Sequence, residues 1–456
     1  LRRDAEFHAG VTHVVLDRES EGLAGLNPGA ALGRLRIVRE SELAEGQRFD
    51  PEEIVVLPRT VSTLTPVAGI VTLAEGNLLS HVQLLARNLG IPNAALDPSF
   101  ASVLDSYDGR EVLLAVGSNG SIVLQTLDEI PLSVRRLLAE MQADSTSRHK
   151  IEAPVPDLRI RRPIPLSGLH AGLSGRVVGP KAANLGELAH VFPEHVAPAI
   201  ALPFGIFALH AAAGPDAPKA QLDRAFQEHR DGWLHHDELE AEVDAVRERI
   251  ESTAIDIEIQ AQLMTLMSEH FGEPGTYGVF VRSDTNVEDL PEFTGAGLNR
   301  TIPNVVGFTA QMAAVAEVWA SPFTRRALAW REGVLRRPEE VYPSVLLMKS
   351  VDVEKSGVLV TRDLVTGGRG LTVATGWGVT GVVEGESAET LVLHEDGTHT
   401  LVSEAKAPFA RQLRDAGGME WVPARAGPVL DEKERWALRE LATQALERLK
   451  PVFGTD

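Results

Sequence analysis

One histidine stands where a ring nitrogen could attack phosphorus. His81 follows the turn Gly76-Asn77-Leu78-Leu79-Ser80 and opens a stretch that ends at Gly90-Ile91-Pro92. Val82, Leu85, Ala86 and Leu89 recur at i, i+3, i+4 and i+7, so the spacing predicts a helix with one face turned inward. Gly90 suits the position just past the helix, and Pro92 forbids continuation. Asn77 or Ser80 can cap the start. His81 therefore falls in or near the first turn. There the free N–H groups and the positive end of the helix dipole favour an attached phosphoryl group over a protonated ring. A neutral imidazole is a good nucleophile near neutral pH. A phosphoryl group carried there would meet backbone donors and Arg87. The plain alternative is an ordinary histidine, one of 14 in the chain. The pair His235-His236, in a charged helical stretch, reads as a solvated face.

The elements around this segment are short strands. "THVVLD", "GRLRIV", "EIVVLP" and "SIVLQT" are β-branched runs of strand length in residues 1–128. Residues 129–166 read as a connector, polar and Pro-rich after "PLSVRRLLAEMQ". A hinge and a surface loop fit that composition equally. From 167 to 456 the chain alternates long helical periods with strands. "KAQLDRAFQEHR", "DELEAEVDAVRERIES", "FTAQMAAVAEVWA" and "EKERWALRELATQALERL" have helical spacing. "TYGVFVRS", "PSVLLMKS" and "SGVLVTRD" read as strands, and "TLVLHEDGTHTLVS" as a hairpin turning at Asp396-Gly397. The fold class is mixed α/β and α+β.

Composition narrows the partners. The 456 residues carry 44 basic and 64 acidic side chains, a net charge of −20. A surface that negative repels nucleic acid and acidic lipid, so neither is expected to bind. An anion such as ATP would need a local basic pocket. The chain has no cysteine, which removes disulfides, thiolate metal sites and a thiol nucleophile. It also suits the cytoplasm, the expected location. No apolar run approaches the roughly 20 residues of a membrane span. The start at Leu1 and the end at Asp456 suggest further residues on both sides.

"TPVAGIVTLAEGNLLSHVQLLARNLGIPNAAL" resembles the phosphohistidine segment of the dikinase superfamily, which includes phosphoenolpyruvate synthase, pyruvate phosphate dikinase and the glucan water dikinases. Ser80-His81, Ala86-Arg87 and Gly90-Ile91-Pro92 carry that likeness. "NPGAALGRLRI" resembles the opening of the same swivelling domain. Residues from about 170 to 456 resemble the superfamily's nucleotide-binding domain, an ATP-grasp-like fold, through "VGPKAANLGEL", "VRSDTNVEDLPEFTGAGLNRTIPNV" and "PSVLLMKSVDVEKSGVLVTRD". The resemblance implies a small swivelling phosphohistidine domain over 1–128, a linker over 129–166 and a larger two-lobed nucleotide domain over 167–456.

It also implies site residues, each with a plainer alternative. Lys181 in a Gly-rich turn would reach a phosphate oxygen; otherwise it is a surface lysine. Arg282, ending an apolar strand, would fork onto phosphate oxygens; otherwise it pairs with a carboxylate such as Glu288. Gly295 and Gly297 would offer close backbone approach to an anion; otherwise they make a turn. Met348 and Lys349, closing "VLLMK", would lie against adenine; otherwise Met348 fills core. Two motifs depart from the pattern. Pro180 replaces a commoner glycine, and "GWGVTGVVEG" lacks a Gly-Leu-Gly-Glu, with Glu384 or Glu386 as substitutes. Acidic metal ligands are expected beyond Asp456, so the metal residues are unknown.

The implied activity consumes ATP with Mg²⁺. Lys181 and Arg282 position the phosphates. His81 takes the β-phosphoryl group as AMP and later phosphate leave, and passes it to an acceptor. The histidine domain comes first, the order of glucan water dikinases, so a glucan or related carbohydrate is the expected acceptor. The alternatives are a phosphoenolpyruvate synthase-like or antibiotic-type small-molecule dikinase, and a non-catalytic nucleotide-binding descendant.

Overall fold

The computed structural model describes residues 14–16, 23–43, 48–61, 64–73, 79–117, 120–136, 138, 150–213, 217–288, 290, 299–364 and 366–454. The chain divides into two compact units. One comprises 1–150, 355–408 and 425–430; the other comprises 151–354, 409–424 and 431–456. The sequence suggests a single cut near 129–166. In the fold, by contrast, the chain passes from the first unit to the second and then returns.

The first unit is built on an eight-stranded sheet among the described residues. Its centre is parallel: Gly29–Ile37, Glu53–Leu57, Gly69–Thr72 and Asn93–Leu96 pair in that order. Antiparallel strands flank it, with Glu111–Val116, Ile122–Thr126 and Val14–Leu16 on one side and Leu23–Asn27 on the other. A sheet of this kind must be covered on both faces. The run Ile54-Val55-Val56-Leu57 shows why its strands are apolar throughout. Ile54 and Val56 enter one core with Leu35, Val71, Leu114 and Leu124, whereas Val55 and Leu57 enter a second with Ile70, Val82 and Ala86.

The helix His81–Leu89 is the crossover between the parallel strands Gly69–Thr72 and Asn93–Leu96. At nine residues it is too short to stand alone in water. Burial of Val82 and Leu85, each worth roughly 1.5–3 kcal/mol, holds it to the sheet. A second sheet in this unit runs antiparallel through Lys355–Val360, Leu371–Trp377, Glu389–Leu393 and His399–Ser403. The expected turn at Asp396-Gly397 lies between its last two strands.

The second unit has a five-stranded antiparallel sheet: Thr301–Val306, Gly278–Thr285, Pro343–Lys349, Ala199–Leu202 and Ile164–Pro165. Alternate residues divide between its faces. Ile200, Leu202, Val279, Val281, Val345 and Leu347 face the larger core, which the helices Phe204–Ala211, Pro218–Arg230, His236–Ser252, Ile257–Phe271 and Phe308–Ala320 complete. Ala199, Ala201 and Leu346 face the other way, onto Ala182 and Ala183 of the helix Pro180–Val191. Part of the expected linker belongs here: Ala153 is buried against Val287, Leu335 and Val341, and Ile151 bridges to Leu335. Among the described residues no helix is long and apolar enough to cross a membrane.

Candidate functional site

Chemistry-bearing residues gather on the face of the five-stranded sheet that meets the helix Pro180–Val191. Across the two central strands Phe280 stands opposite Met348, Arg282 opposite Leu346 and Asp284 opposite Ser344. Directly opposed residues share a face, so Arg282, Asp284, Ser344 and Met348 all lie on this side. Met348 is half-buried against the apolar cluster of Ala199, Leu346 and Ala182.

Helix and sheet are joined by a carboxylate. Asp284 is fully buried; its Oδ1 accepts from Lys181 N at 2.8 Å and its Oδ2 from Ala182 N at 3.0 Å. These are two of the N–H groups that a helix start leaves unpaired. Asp284 thus caps a helix more than a hundred residues away in sequence. Ser344 Oγ donates to Asp284 O at 2.6 Å, lies 3.2 Å from Asp284 Oδ2 and accepts from Gly179 N at 3.1 Å. Gly179 is required by space: a Cβ there would come within 2.3 Å of Asp284 Oδ1. Pro180 opens the helix at a position where a missing N–H costs nothing.

The cations sit beside this cap. Lys181 Nζ lies 2.6 Å from Glu288 Oε2 and donates to Ser283 O at 3.0 Å. The lysine side chain is 34% exposed and the glutamate 3%, so the ammonium is reachable while its counter-ion is walled in. Asn299 Nδ2 donates to Glu288 Oε1 at 2.6 Å. Arg282 is half-buried, and that burial lowers its pKa against the upward pull of Asp284 and Glu288. Burial and the neighbouring Glu288 push the Asp284 pKa up to about 7, against Lys181 and the two backbone donors. Glu288 forms its ion pair with Lys181, whereas the sequence offered it to Arg282.

One sequence expectation ends differently. Lys349 is on the opposite face; its ammonium donates to Phe271 O at 2.8 Å, at the C-terminal end of the helix Ile257–Phe271, where cations are favoured. It is not with Met348. Gly295 and Gly297 lie outside the described residues. Asp284 and Ser344 were missed. Asp284 was detectable, since it stands two residues after Arg282 on a strand and so shares its face.

In the other unit His81 is the first residue of its helix, as the spacing predicted. Its side chain lies outside the described residues. Ser80 caps the helix by accepting from Gln83 N at 3.4 Å, and Gly90 closes it at φ 67°. Arg87 is not near the N-terminus. It lies six residues on, about 9 Å along the axis, and its Nη2 donates to Leu26 O at 3.5 Å. The residue before the cap, Leu79, is buried with Ala374 of the second sheet and with Val382 and Ala388 of the segment that follows that strand. Gly385 of the loop "GWGVTGVVEG" approaches closely. A Cβ there would lie 2.7 Å from Thr60 Cγ2 and 3.8 Å from Ser80 Cβ, and its φ of +93° already demands glycine. In the same loop Thr380 holds φ 66°, an uncommon backbone for a β-branched residue.

The described acidic groups nearest Lys181 suit capping better than metal binding. Each oxygen of Asp284 and Glu288 already accepts a hydrogen bond. As folded, they do not fit a magnesium site.

Residues 175–450 match the family described as pyruvate phosphate dikinase, AMP/ATP-binding domain. The chain belongs to that family. The match includes Lys181, Arg282 and the strands between them. Among curated relatives, a probable phosphoenolpyruvate synthase of Methanothermobacter thermautotrophicus is 28% identical over 290 residues, 61% of this chain and 41% of its own. A rifampicin phosphotransferase of Streptomyces sp is 32% identical over 290 residues, 61% of this chain and 32% of its own. The phosphoenolpyruvate synthase of Pyrococcus furiosus is 33% identical over 165 residues, 35% of this chain and 20% of its own. The chain thus spans less than half the length of these relatives. Membership supports ATP binding and a dikinase-type transferase relationship.

Proposed function

We propose that this chain is part of an ATP-dependent phosphotransferase of the dikinase type, acting through a phosphohistidine at His81. The carrying observation is the placement of Arg282 on one sheet face and of Lys181 at the start of the helix packed against that face, within the matched nucleotide-binding region. Polyphosphate recognition needs convergent cations in a site shielded from water. The Lys181 ammonium can exchange Glu288 for a phosphate oxygen. The Arg282 guanidinium presents a planar fork of donors, and half-burial strengthens what it binds.

In the proposed step a ring nitrogen of His81 bonds to the β-phosphorus of ATP as the bond to the α-phosphate oxygen breaks. AMP leaves, and water later releases the γ-phosphate. The phosphoryl group left on the ring passes to an acceptor. Phosphoryl transfer asks the protein mainly for positioning and charge, which the cap around Asp284 and the helix start at His81 would supply. Magnesium, if used, would neutralise phosphate charge.

For the acceptor, the relatives' names favour a small molecule, as in phosphoenolpyruvate synthase and rifampicin phosphotransferase. The order of segments, histidine before nucleotide region, favours a glucan. Incubating the protein with ATP and each of pyruvate, rifampicin and a soluble glucan decides between them. AMP and phosphate should form together, with label from the β-position entering only the true acceptor. Production of ADP in place of AMP would overturn the dikinase reading. Label entering the glucan alone would return the acceptor to a carbohydrate.

A further inference from the structure

A second cluster stands in the nucleotide-family unit where three helices meet. His229 is in the last turn of Pro218–Arg230, His236 opens His236–Ser252, and Glu332 is on Arg325–Val334. One ligand atom from each lies within 4.8 Å of the others. The two imidazole centroids are 6.0 Å apart. We propose that this junction binds a divalent transition-metal ion, with His229 Nε2, His236 Nδ1 and Glu332 Oε1 as protein ligands and a fourth position open to water.

The second contacts of each ring support this. His229 Nδ1 lies 2.8 Å from Leu234 O, a carbonyl that can only accept. The proton is therefore on Nδ1, and Nε2 carries the lone pair. His236 Nε2 faces the buried Glu240 Oε1 at 3.7 Å, and Glu240 is itself held by Arg325 Nη1 at 3.3 Å. That leaves His236 Nδ1 facing Glu332 Oε1 at 3.9 Å. An orienting carbonyl on the far nitrogen, as at His229, is the usual arrangement behind a metal-bound histidine. The two contacts of His236 with carboxylates, at 3.7 and 3.9 Å, are too long for hydrogen bonds. Bonds of about 2.0–2.2 Å to one ion bring two ligand atoms to about 3.4 Å in a tetrahedron. The Glu332–His236 gap therefore closes with about half an ångström of side-chain movement. Two imidazoles and one carboxylate suit zinc or its neighbours and are poorly matched to magnesium or calcium. Such an ion would tie the two-helix hairpin to the third helix.

Titrating the chelator-treated protein with zinc chloride tests this, read by calorimetry and by X-ray absorption at the zinc edge. One equivalent should bind, with two nitrogen ligands near 2.0 Å and a raised melting temperature. His229→Ala, His236→Ala and Glu332→Gln should each weaken binding at least tenfold, while His270→Ala, outside the cluster, should leave it unchanged. Circular dichroism establishes that the variants fold. Absence of saturable binding, affinity unmoved by either histidine variant, or an oxygen-only absorption spectrum would overturn the proposal.

Discussion

Lys181 and Glu288 form a pair in which one partner is open to solvent and the other is enclosed. The same ammonium that stabilises the buried carboxylate is the group proposed to meet phosphate. Arg282 also acts on the buried carboxylates through its charge, so a substitution that keeps the charge is the cleaner probe. Arg282→Lys keeps the charge and loses the planar fork. It should weaken ATP binding about tenfold, roughly 1.4 kcal/mol, by calorimetry, with the melting temperature little changed. Asp284 should behave in the opposite way. Asp284→Asn turns an amide N–H₂ toward the backbone donors of Lys181 and Ala182 in a fully buried setting. A loss of about 3 kcal/mol in urea unfolding is expected. This residue-level chemistry was half legible. The types and positions of His81, Lys181 and Arg282 can be read from a line of sequence. The contact between Asp284 and the helix at Lys181 cannot, because no local period reports a pairing over a hundred residues.

At the scale of elements the local signals worked where periodicity was strong. The helix foreseen from Val82, Leu85, Ala86 and Leu89 runs His81–Leu89, and the runs "TYGVFVRS" and "PSVLLMKS" became the strands Gly278–Thr285 and Pro343–Lys349. Lys349 shows where such signals stop. Strand alternation separates it from Met348, and a distant helix end claims its ammonium. The start of the His81 helix offers a direct test of positioning. Ser80→Ala removes a cap and should cost about 1 kcal/mol. Gly385→Ala meets both a positive φ and Thr60 Cγ2 at 2.7 Å, and should cost about 1–3 kcal/mol. Thermal unfolding of the two variants checks both figures. An unchanged Gly385→Ala protein would show that the loop does not press on Thr60.

At the scale of the whole molecule the sequence marked a connector but not the return of residues 355–408 and 425–430 to the first unit. Local spacing describes strands and helices and is silent on which unit recruits them. Stability at this scale should depend on pH through the larger core. Burial lowers the pKa of His210 below its ordinary 6.5, with Ile250 O opposing from 2.8 Å. The unfolded chain then binds the proton more readily. His210 contributes fully above about pH 6.5, and its contribution falls as pH drops below that value. The urea midpoint should decline from pH 7 to pH 5, and His210→Gln should flatten that decline.

The central claim is that a phosphoryl group from ATP rests on His81. Incubating the protein with ATP labelled at the β-phosphate, then quenching in base and in acid, measures it directly. The wild-type chain should retain label that survives base and is lost in acid. The His81→Ala variant should retain none while still binding ATP. Label persisting in that variant, or wild-type protein that binds ATP and never acquires label, would contradict the account.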